Sequence, residues 1–347
     1  MKKIRLGRTD LMVTEIGFGG IPIQRLTADD AVAVVKRCIE LGINFFDTAN
    51  AYSTSEERIG EAIKGHRAEV FLATKSLSHN REELSKHLDL SLKRLGVDYI
   101  DLYQFHGVSD FESLDKILEP GGVMSVVKKA QADGKVRHIG ITSHQLDVAK
   151  KAVASGRFET IMFPFNFIAM EAANELIPLC LKHDVGFICM KPMAGGMVDK
   201  AGVAIKYLLQ FPDIITIPGI EKVTEIEEII NIAESSIGLT VMERLEMKNI
   251  REALGSRFCH RCDYCKPCAV GIPISTVMSI QSFYRRFPSA SFFSPSFAGA
   301  MDKAAKCSDC GECETRCPYH LPIREMMTEQ VEWYRDLISK HNKESMS

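Results

Sequence analysis

The chain has 347 residues, of which 46% are hydrophobic, and a formal net charge of −2. This length allows one large domain and a smaller second one, and the near-neutral charge offers no basic surface for nucleic acid or anionic lipid. No apolar run reaches the roughly 18 residues of a membrane-spanning helix, so no span is predicted.

Short β-branched runs alternate with longer helical patterns through the first two thirds of the chain, which is typical of parallel strands joined by crossover helices. The eight predicted strands cover residues 15 to 20, 44 to 49, 70 to 75, 99 to 106, 136 to 143, 160 to 165, 186 to 192 and 214 to 219. Eight evenly spaced units in about 235 residues favour a (β/α)8 TIM barrel over an open sheet. Two further short strands around residues 8 to 10 predict a hairpin at the barrel floor.

Several helix boundaries are marked by capping residues. Thr27 can cap a helix that closes at Gly42, and Asn80 with Glu83 forms a similar start. Gly96 follows the end of that later helix, where a left-handed residue often terminates it. These signals place helices between the predicted strands.

Four polar residues lie at or just after the ends of predicted strands. Asp47 ends the second strand, Tyr52 follows on the next loop, Lys75 ends the third strand and His106 ends the fourth. Active sites of such barrels lie at these strand ends. An acid-paired lysine beside a phenol lowers the phenol's pKa and prepares it to protonate a carbonyl oxygen. Singly, a strand-end ion pair or histidine is equally well structural, but the combination favours a proton-donating site.

Eight of the eleven cysteines fall in two short runs near the C-terminus. The runs are Cys259, Cys262, Cys265 and Cys268, then Cys307, Cys310, Cys313 and Cys317. The second run follows the ferredoxin spacing C-x2-C-x2-C-x3-C-P, whereas the first departs from it in its last gap and in the position of Pro267. Zinc is the alternative, but paired zinc knuckles would leave the third cysteine of each run unused. The spacing therefore favours 4Fe-4S clusters.

In paired cubane clusters the last cysteine of each run ligates the other cluster. One predicted cluster is thus held by Cys259, Cys262, Cys265 and Cys317, and the other by Cys307, Cys310, Cys313 and Cys268. We expect two domains, a barrel at 1 to 240 and a small, mainly helical ferredoxin-like iron-sulfur domain at 241 to 347 that starts with a linker helix. Residues 1 to 30 contain no apolar signal-peptide core, so a reducing cytoplasm is expected.

The segments FDTANAY, ATKS, DYIDLYQFHG, GKVRHIGITSH and ITIPG resemble the aldo-keto reductase superfamily over residues 3 to 235. The cysteine-rich segment resembles the ferredoxin-type extension of one branch of that superfamily. The resemblance implies reversible reduction of a small carbonyl compound by hydride from NAD(P)H. Tyr52 would supply the proton, Lys75 and Asp47 would tune Tyr52, and His106 would place the substrate oxygen.

The same resemblance implies where NADP or NAD binds. The nicotinamide carboxamide would contact residues after the fifth and sixth strands, and the phosphates would lie near the loops after the seventh and eighth. The implied contacts are Ser143, Asn166, Lys191, Met193, Gly195, Pro218, Gly219, Lys222 and Glu228. Glycine-containing loops suit anions through their backbone amides, although tight turning alone also explains the glycines. His144, Met162 and Met190 depart from the family pattern around the nicotinamide.

Three functions remain open at this point, because clusters move single electrons whereas a nicotinamide gives two as hydride. The chain is a carbonyl reductase with structural clusters, an electron-transfer oxidoreductase served by a ferredoxin-like partner and a bridging flavin, or a nucleotide-binding redox sensor. The complete proton-donor set favours the reductase. Substrate specificity lies in the loops and is not predicted from them.

Overall fold

The computed structural model describes residues 1–235 and 238–344. The chain divides into two compact units, Met1–Met247 and a second that starts at Lys248. The boundary lies within a helix, Val241–Gly255, that corresponds to the predicted linker.

The first unit contains eight parallel strands that follow one another around the sheet in chain order. After the two strands of an N-terminal hairpin, β1 and β2, these are β3 (Phe18–Gly19), β4 (Phe45–Asp47), β5 (Phe71–Ser76), β6 (Ile100–Phe105), β7 (Val136–Thr142), β8 (Thr160–Pro164), β9 (Gly186–Met190) and β10 (Ile214–Thr216). Parallel bridges between Ile16 and Thr216 and between Gly19 and Gly219 join the last strand to the first. The predicted (β/α)8 barrel is confirmed.

The N-terminal hairpin seals one end of the barrel. Its strands are β1 (Lys3–Arg5) and β2 (Met12–Thr14), which pair antiparallel around a short 3-10 turn, Gly7–Thr9. The Arg8 guanidinium donates to the carbonyl oxygens of Phe158 and His183, which precede β8 and β9. Gly7 has a φ of +54°, and a Cβ there would lie 2.1 Å from the Gly186 nitrogen. The hairpin therefore lies at the N-terminal ends of the strands, as predicted.

Helices cover the outside of the sheet. They are α1 (Ala28–Glu40), α2 (Ser55–Ala62), α3 (Arg81–Leu95), α4 (Phe111–Leu118), α5 (Met124–Ala132), α6 (Leu146–Ala154), α7 (Glu171–Asn174), α8 (Leu176–Lys182), α9 (Ala201–Leu208) and α10 (Val223–Glu234), with 3-10 turns at Pro22–Arg25 and Arg67–Glu69. The helix at the unit boundary, Val241–Gly255, is α11. Thr27 accepts from the Asp30 amide at 3.2 Å, and Asn80 accepts from the Glu83 amide at 3.0 Å. Gly96 ends α3 with a φ of +65°. These caps are the predicted ones.

The barrel interior is divided along its axis. Hairpin side chains such as Leu6 and Val13 pack with Phe45, Leu102 and Ile188 in an apolar cluster inside the strands. Because this cluster fills the floor, the buried polar side chains of the interior collect toward the C-terminal strand ends. That is the end at which barrel enzymes carry their active sites.

The second unit is helical. Its elements are α12 (Ile274–Met278), α13 (Ile280–Tyr284), α14 (Pro295–Ala304), α15 (Glu312–Thr315), α16 (Ile323–Glu344) and a 3-10 turn, Ser289–Phe293. Three predicted ligands, Cys265, Cys313 and Cys317, belong to its buried apolar core. The Tyr334 hydroxyl donates to the Phe292 carbonyl at 2.7 Å across that core. Within the described residues, no helix is long and apolar enough to cross a membrane.

Candidate active site and candidate cluster sites

A buried ion pair lies at the C-terminal ends of β4 and β5. Lys75 Nζ donates to Asp47 Oδ2 at 2.5 Å and to the Thr48 carbonyl at 2.7 Å. Both side chains point into the barrel and are almost wholly buried, with Lys75 1% and Asp47 3% exposed. A buried pair needs such complete hydrogen bonding to offset the loss of water from two charges.

Gln104 completes this pair. It lies opposite Lys75 in the β5 to β6 register, and its Nε2 donates to Asp47 Oδ1 at 3.1 Å. Both carboxylate oxygens of Asp47 are therefore held by separate donors. The sequence motifs give no direct signal for this role, although Gln104 precedes His106 by two residues and so shares its face of the strand.

Tyr52 and His106 lie on the solvent-facing side of the Lys75–Asp47 ion pair. The Tyr52 side chain lies against Lys75, whose Nζ is 5.1 Å from the centre of the Tyr52 ring, and the two side chains interact electrostatically. The His106 ring is 5.8 Å from that of Tyr52, nearly perpendicular at 83°. Tyr52 and His106 are each partly exposed. The structure thus brings together all four side chains that the sequence selected for this site.

The electrostatics of the site keep a positive charge beside the tyrosine. Burial by itself would lower the pKa of Lys75, but the attraction of Asp47 and of Tyr52 outweighs it, and the pKa of Lys75 is raised. Its ammonium therefore stays charged at physiological pH. A fixed cation close to a phenol stabilises its phenolate form.

Ser143 and Asn166, the expected carboxamide contacts, are buried, and each makes hydrogen bonds within the protein. Ser143 Oγ donates to the Gln145 carbonyl and accepts from its amide. Asn166 Nδ2 donates to the Lys191 carbonyl at 3.0 Å, and its Oδ1 accepts from two backbone amides. This leaves one acceptor position on Ser143 and one N–H on Asn166. Those two groups are complementary to the amide and carbonyl of a carboxamide.

The loop after β9 has the backbone of an anion site. Lys191 (φ 58°), Ala194 (φ 49°), Gly195 (φ 68°) and Gly196 (φ 88°) all have left-handed conformations. Such repeated left-handed residues turn successive amides toward one side, as in known anion-binding loops. Lys191 Nζ also lies 2.8 Å from His144 Nε2, a contact between two loops that the sequence does not predict.

Met193 belongs to the same loop, where its carbonyl accepts from the Gly196 amide. Met162 and Met190, which depart from the family pattern, contact the apolar cluster inside the barrel. Their side chains therefore extend the apolar interior toward the strand ends.

The loop after β10 is constrained by barrel closure. The Pro218 carbonyl accepts from the Gly19 amide at 2.8 Å, and a Cβ on Gly219 would lie 2.7 Å from Pro22. Close packing thus accounts for Gly219 without an anion.

Farther along this loop, the amides expected to bind phosphate already have an acceptor. The amides of Glu221 and Lys222 both donate to the Glu225 carboxylate, at 2.8 and 3.1 Å. An anion at this helix start would compete with Glu225. Glu228 lies on the same helix, α10, and is exposed.

Two cavities in the second unit are surrounded by cysteines. Cavity A is lined by Cys259, Cys262, Cys265 and Cys317. Cavity B is lined by Cys268, Cys307, Cys310 and Cys313. These are the two sets that the crossed ligation of paired cubanes predicts, and Cys268 is among them. In the described part of the chain, no three Cys, His, Asp or Glu side chains converge on a single metal ion.

The loops around the cavities are shaped to point thiols inward. Left-handed residues stand between the cysteines of each run, among them Arg261 and Asp263 in the first and Asp309 and Gly311 in the second. Arg316, from the second run, donates to the carbonyl oxygens of residues 265 and 267 in the first. The two runs are thereby fastened to one another.

The residues present fit an iron-sulfur cluster in each cavity. Four cysteine sulfurs are the ligand set of a cubane. Burial raises the pKa of Cys262 to about 11 and that of Cys265 to about 12, so these thiolates need a nearby cation such as cluster iron. Cavity B also carries buried nitrogen donors on Arg316 and Arg324 that have no acceptor within the described residues. The ring of His260 stacks on Tyr319 beside cavity A, with centroids 3.6 Å apart.

Comparison with known proteins identifies both parts of the chain. Residues 15–203 match the aldo/keto reductase family, and residues 258–322 match the 4Fe-4S dicluster domain. The first match covers more than half of the chain, which therefore belongs to the aldo/keto reductase family. The match at the C-terminus adds a 4Fe-4S domain to that assignment.

Relatives of known name agree with this assignment. The chain is 32% identical over 216 residues to L-galactose dehydrogenase of Arabidopsis thaliana, covering 57% of this chain and 67% of that protein. It is 30% identical over 212 residues to aldo-keto reductase yakc of Schizosaccharomyces pombe, whose name specifies NADP(+), with coverage of 54% and 61%. The holo form of an aldo-keto reductase from Bacillus halodurans superposes with a TM-score of 0.63 at 25% identity, covering 72% of this chain and 96% of that one.

Proposed function

We propose that the protein reduces an aldehyde or ketone to an alcohol with NADPH or NADH, and that Tyr52 is the proton donor. The observation that carries this proposal is the contact of Tyr52 with a lysine whose charge is fixed by Asp47. A sensor or docking module has no need of a buried, fully hydrogen-bonded acid and base beside a partly exposed phenol. Family membership supports the same reaction class.

Each member of the site has a separate task. The substrate oxygen binds between Tyr52 and His106, where the phenol gives it a proton and the imidazole orients it. The Lys75 ammonium stabilises the phenolate that remains, and Asp47 keeps Lys75 charged and in place. Solvent then returns a proton to Tyr52. Bound NADPH or NADH would supply the hydride that attacks the carbonyl carbon.

Ser143 and Asn166 are proposed to bind the carboxamide through the acceptor and the N–H that the protein leaves unused. Lys191, Met193 and Gly195 are proposed to line the phosphate region, because their loop has the left-handed backbone of an anion site. The proposed contacts of the adenosine half are Pro218, Gly219, Lys222 and Glu228. For an anion to bind there, Glu225 would have to release the amides of Glu221 and Lys222.

Two 4Fe-4S clusters are proposed for the second unit, one in cavity A and one in cavity B. The grouping of the eight cysteines around two separate cavities supports this number. Each cluster would carry three cysteines from one run and the last cysteine of the other.

The proposal is tested by Tyr52→Phe in the full chain with its clusters loaded. Removing a general acid costs about 10²- to 10⁴-fold in kcat, whereas binding of NADPH should be unchanged. Tyr99→Phe is the matched control, since Tyr99 lies outside the site between Arg67 and Arg137. Aldehyde-dependent oxidation of NADPH is followed at 340 nm, roughly the nicotinamide absorption maximum. Equal loss in both variants, or full activity in Tyr52→Phe, would refute the assignment.

A further inference from the structure

The two cysteine-lined cavities differ in the charged side chains around them. Cavity B is lined by Arg316 and Arg324 together with Glu312. Cavity A is lined by Asp263, whose Oδ1 is buried without a hydrogen-bond partner in the described residues, and by His260. Because a cluster gains negative charge on reduction, cations beside it raise its reduction potential and anions lower it.

The arginines of cavity B also carry unused hydrogen-bond donors. The Nε atoms of Arg316 and Arg324 are buried, and neither has an acceptor within residues 1–235 and 238–344. The rest of the Arg324 guanidinium is held by Asp309 at 3.0 Å and Glu314 at 2.9 Å, which fixes its orientation. A buried N–H without an acceptor is costly. Sulfur of a cluster in cavity B would supply the missing acceptor.

The cysteines of the two cavities also differ in their exposure to solvent. Cys310 of cavity B is exposed, whereas Cys265 and Cys317 of cavity A are buried and the remaining two thiols of cavity A are intermediate. Solvent exposure, net charge and hydrogen bonds to sulfur are the terms by which a protein sets a cluster's potential. Solvent exposure and the buried Nε–H groups both favour the reduced form in cavity B, whereas Glu312, Asp309 and Glu314 offset the charge of the two arginines.

We propose that cavity B holds the cluster of higher reduction potential, and that Arg316 and Arg324 set this difference by donating Nε–H groups to its sulfur atoms. The inference rests on the two-cluster assignment proposed above. A cluster held in cavity B would accept an electron from a low-potential donor before one held in cavity A. The exposed Cys310 marks the side from which that electron would enter or leave.

The test is a redox titration of the anaerobic full chain with dithionite, followed by electron paramagnetic resonance. Two one-electron waves are expected. Arg324→Gln should lower the higher wave so that the reduced fraction at a fixed potential falls about tenfold, which is about 59 mV for one electron. Arg324→Lys keeps the charge but lacks the Nε–H, and should lower the same wave less. Arg316→Lys should also lower this wave alone.

Two further variants complete the titration. Asp263→Asn should raise only the lower wave. Arg257→Gln is the matched control, because Arg257 belongs to the same unit and pairs with Glu325 and Glu329 without lining either cavity. It should move neither wave.

Iron and acid-labile sulfide are measured on every variant, so that a failed inference and a failed assignment are distinguishable. About eight irons per chain are expected for two cubanes. If both Arg324 variants keep this iron content, two results would overturn the role of the arginines. Either only the lower wave shifts, or neither wave shifts. An iron content near four or zero, or zinc in place of iron, would remove the two-cluster assignment and the inference with it.

Discussion

The two units of this protein hold their candidate sites by different means. In the barrel, Lys75 and Asp47 are fixed by neighbouring strands of a closed sheet and by direct hydrogen bonds. In the second unit, predicted ligands such as Cys265 and Cys313 form part of a small apolar core between short helices and loops. The first site is therefore complete as a protein structure, whereas we expect the second unit to need the proposed clusters for its stability.

The largest expected effect follows from removing the clusters. Cys313→Ser should lose the cluster of cavity B and open the second unit, because small domains of this size often need a metal or other cross-link to fold. Limited proteolysis with mass spectrometry should show cleavage beyond residue 248 rising by an order of magnitude or more, while aldehyde reduction by the barrel persists. Cys180→Ala, in the barrel helix α8, should leave iron content and cleavage unchanged. Parallel loss of barrel activity and iron would contradict the separation of the two sites.

The next largest effect is expected from Lys75→Met, which leaves Asp47 buried without its ion-pair partner. Breaking a buried pair in this way costs about 3 to 5 kcal/mol in the free energy of unfolding, measured by urea titration followed by circular dichroism under anaerobic conditions. The matched control is Lys135→Met, which removes an exposed pair with Asp89 and should change stability by about 0.5 kcal/mol or less. Equal effects would show that the Lys75 pair is not structurally important.

The same Lys75→Met variant tests the electrostatics of the tyrosine. Reduction needs protonated Tyr52, so activity falls as the pH rises through the pKa of Tyr52. Because the pKa of Lys75 is raised, its ammonium is present throughout this range and favours the phenolate. Its removal should therefore lower kcat and move the alkaline limb of the pH profile to higher pH. An alkaline limb that stays in place would contradict the coupling of the two side chains.

A smaller effect is expected from Gln104→Leu, which removes one of the two donors that hold Asp47. We expect kcat to fall about tenfold, equivalent to about 1.4 kcal/mol, with little change in KM because Gln104 is buried below the site. Gln131→Leu, which removes an amide contact to a backbone carbonyl outside the site, serves as the control. A change in KM with unchanged kcat would show that Gln104 contributes to binding and not to positioning.

Much of the fold could be predicted from the sequence because its signals are local. Strand periodicity, the caps at Thr27 and Asn80, and the ending of α3 at Gly96 depend on neighbouring residues alone. Asp47, Lys75 and His106 were also recognisable, because strand ends meet at one face of a barrel. The grouping of the cysteines depended only on their spacing.

The remaining features depend on contacts between distant segments. Nothing local indicates that Gly219 is needed for its contact with Pro22, whereas the Glu225 carboxylate takes the Glu221 and Lys222 amides through a local contact at the start of α10. The contact of Lys191 with His144 likewise joins loops that are 47 residues apart in sequence. Contacts between such distant residues form only when the fold has brought their segments together.

The most direct test of the central claim, that the barrel site transfers hydride straight to a carbonyl carbon, is an isotope experiment. The full chain with loaded clusters is supplied with NADPH that carries deuterium at both C4 positions and with an aldehyde, and the product alcohol is analysed by mass spectrometry. We expect one deuterium on the carbinol carbon of each product molecule. Alcohol without deuterium would show that the new hydrogen on the carbinol carbon comes from water, through single electrons or an exchanging carrier, and would contradict direct hydride transfer.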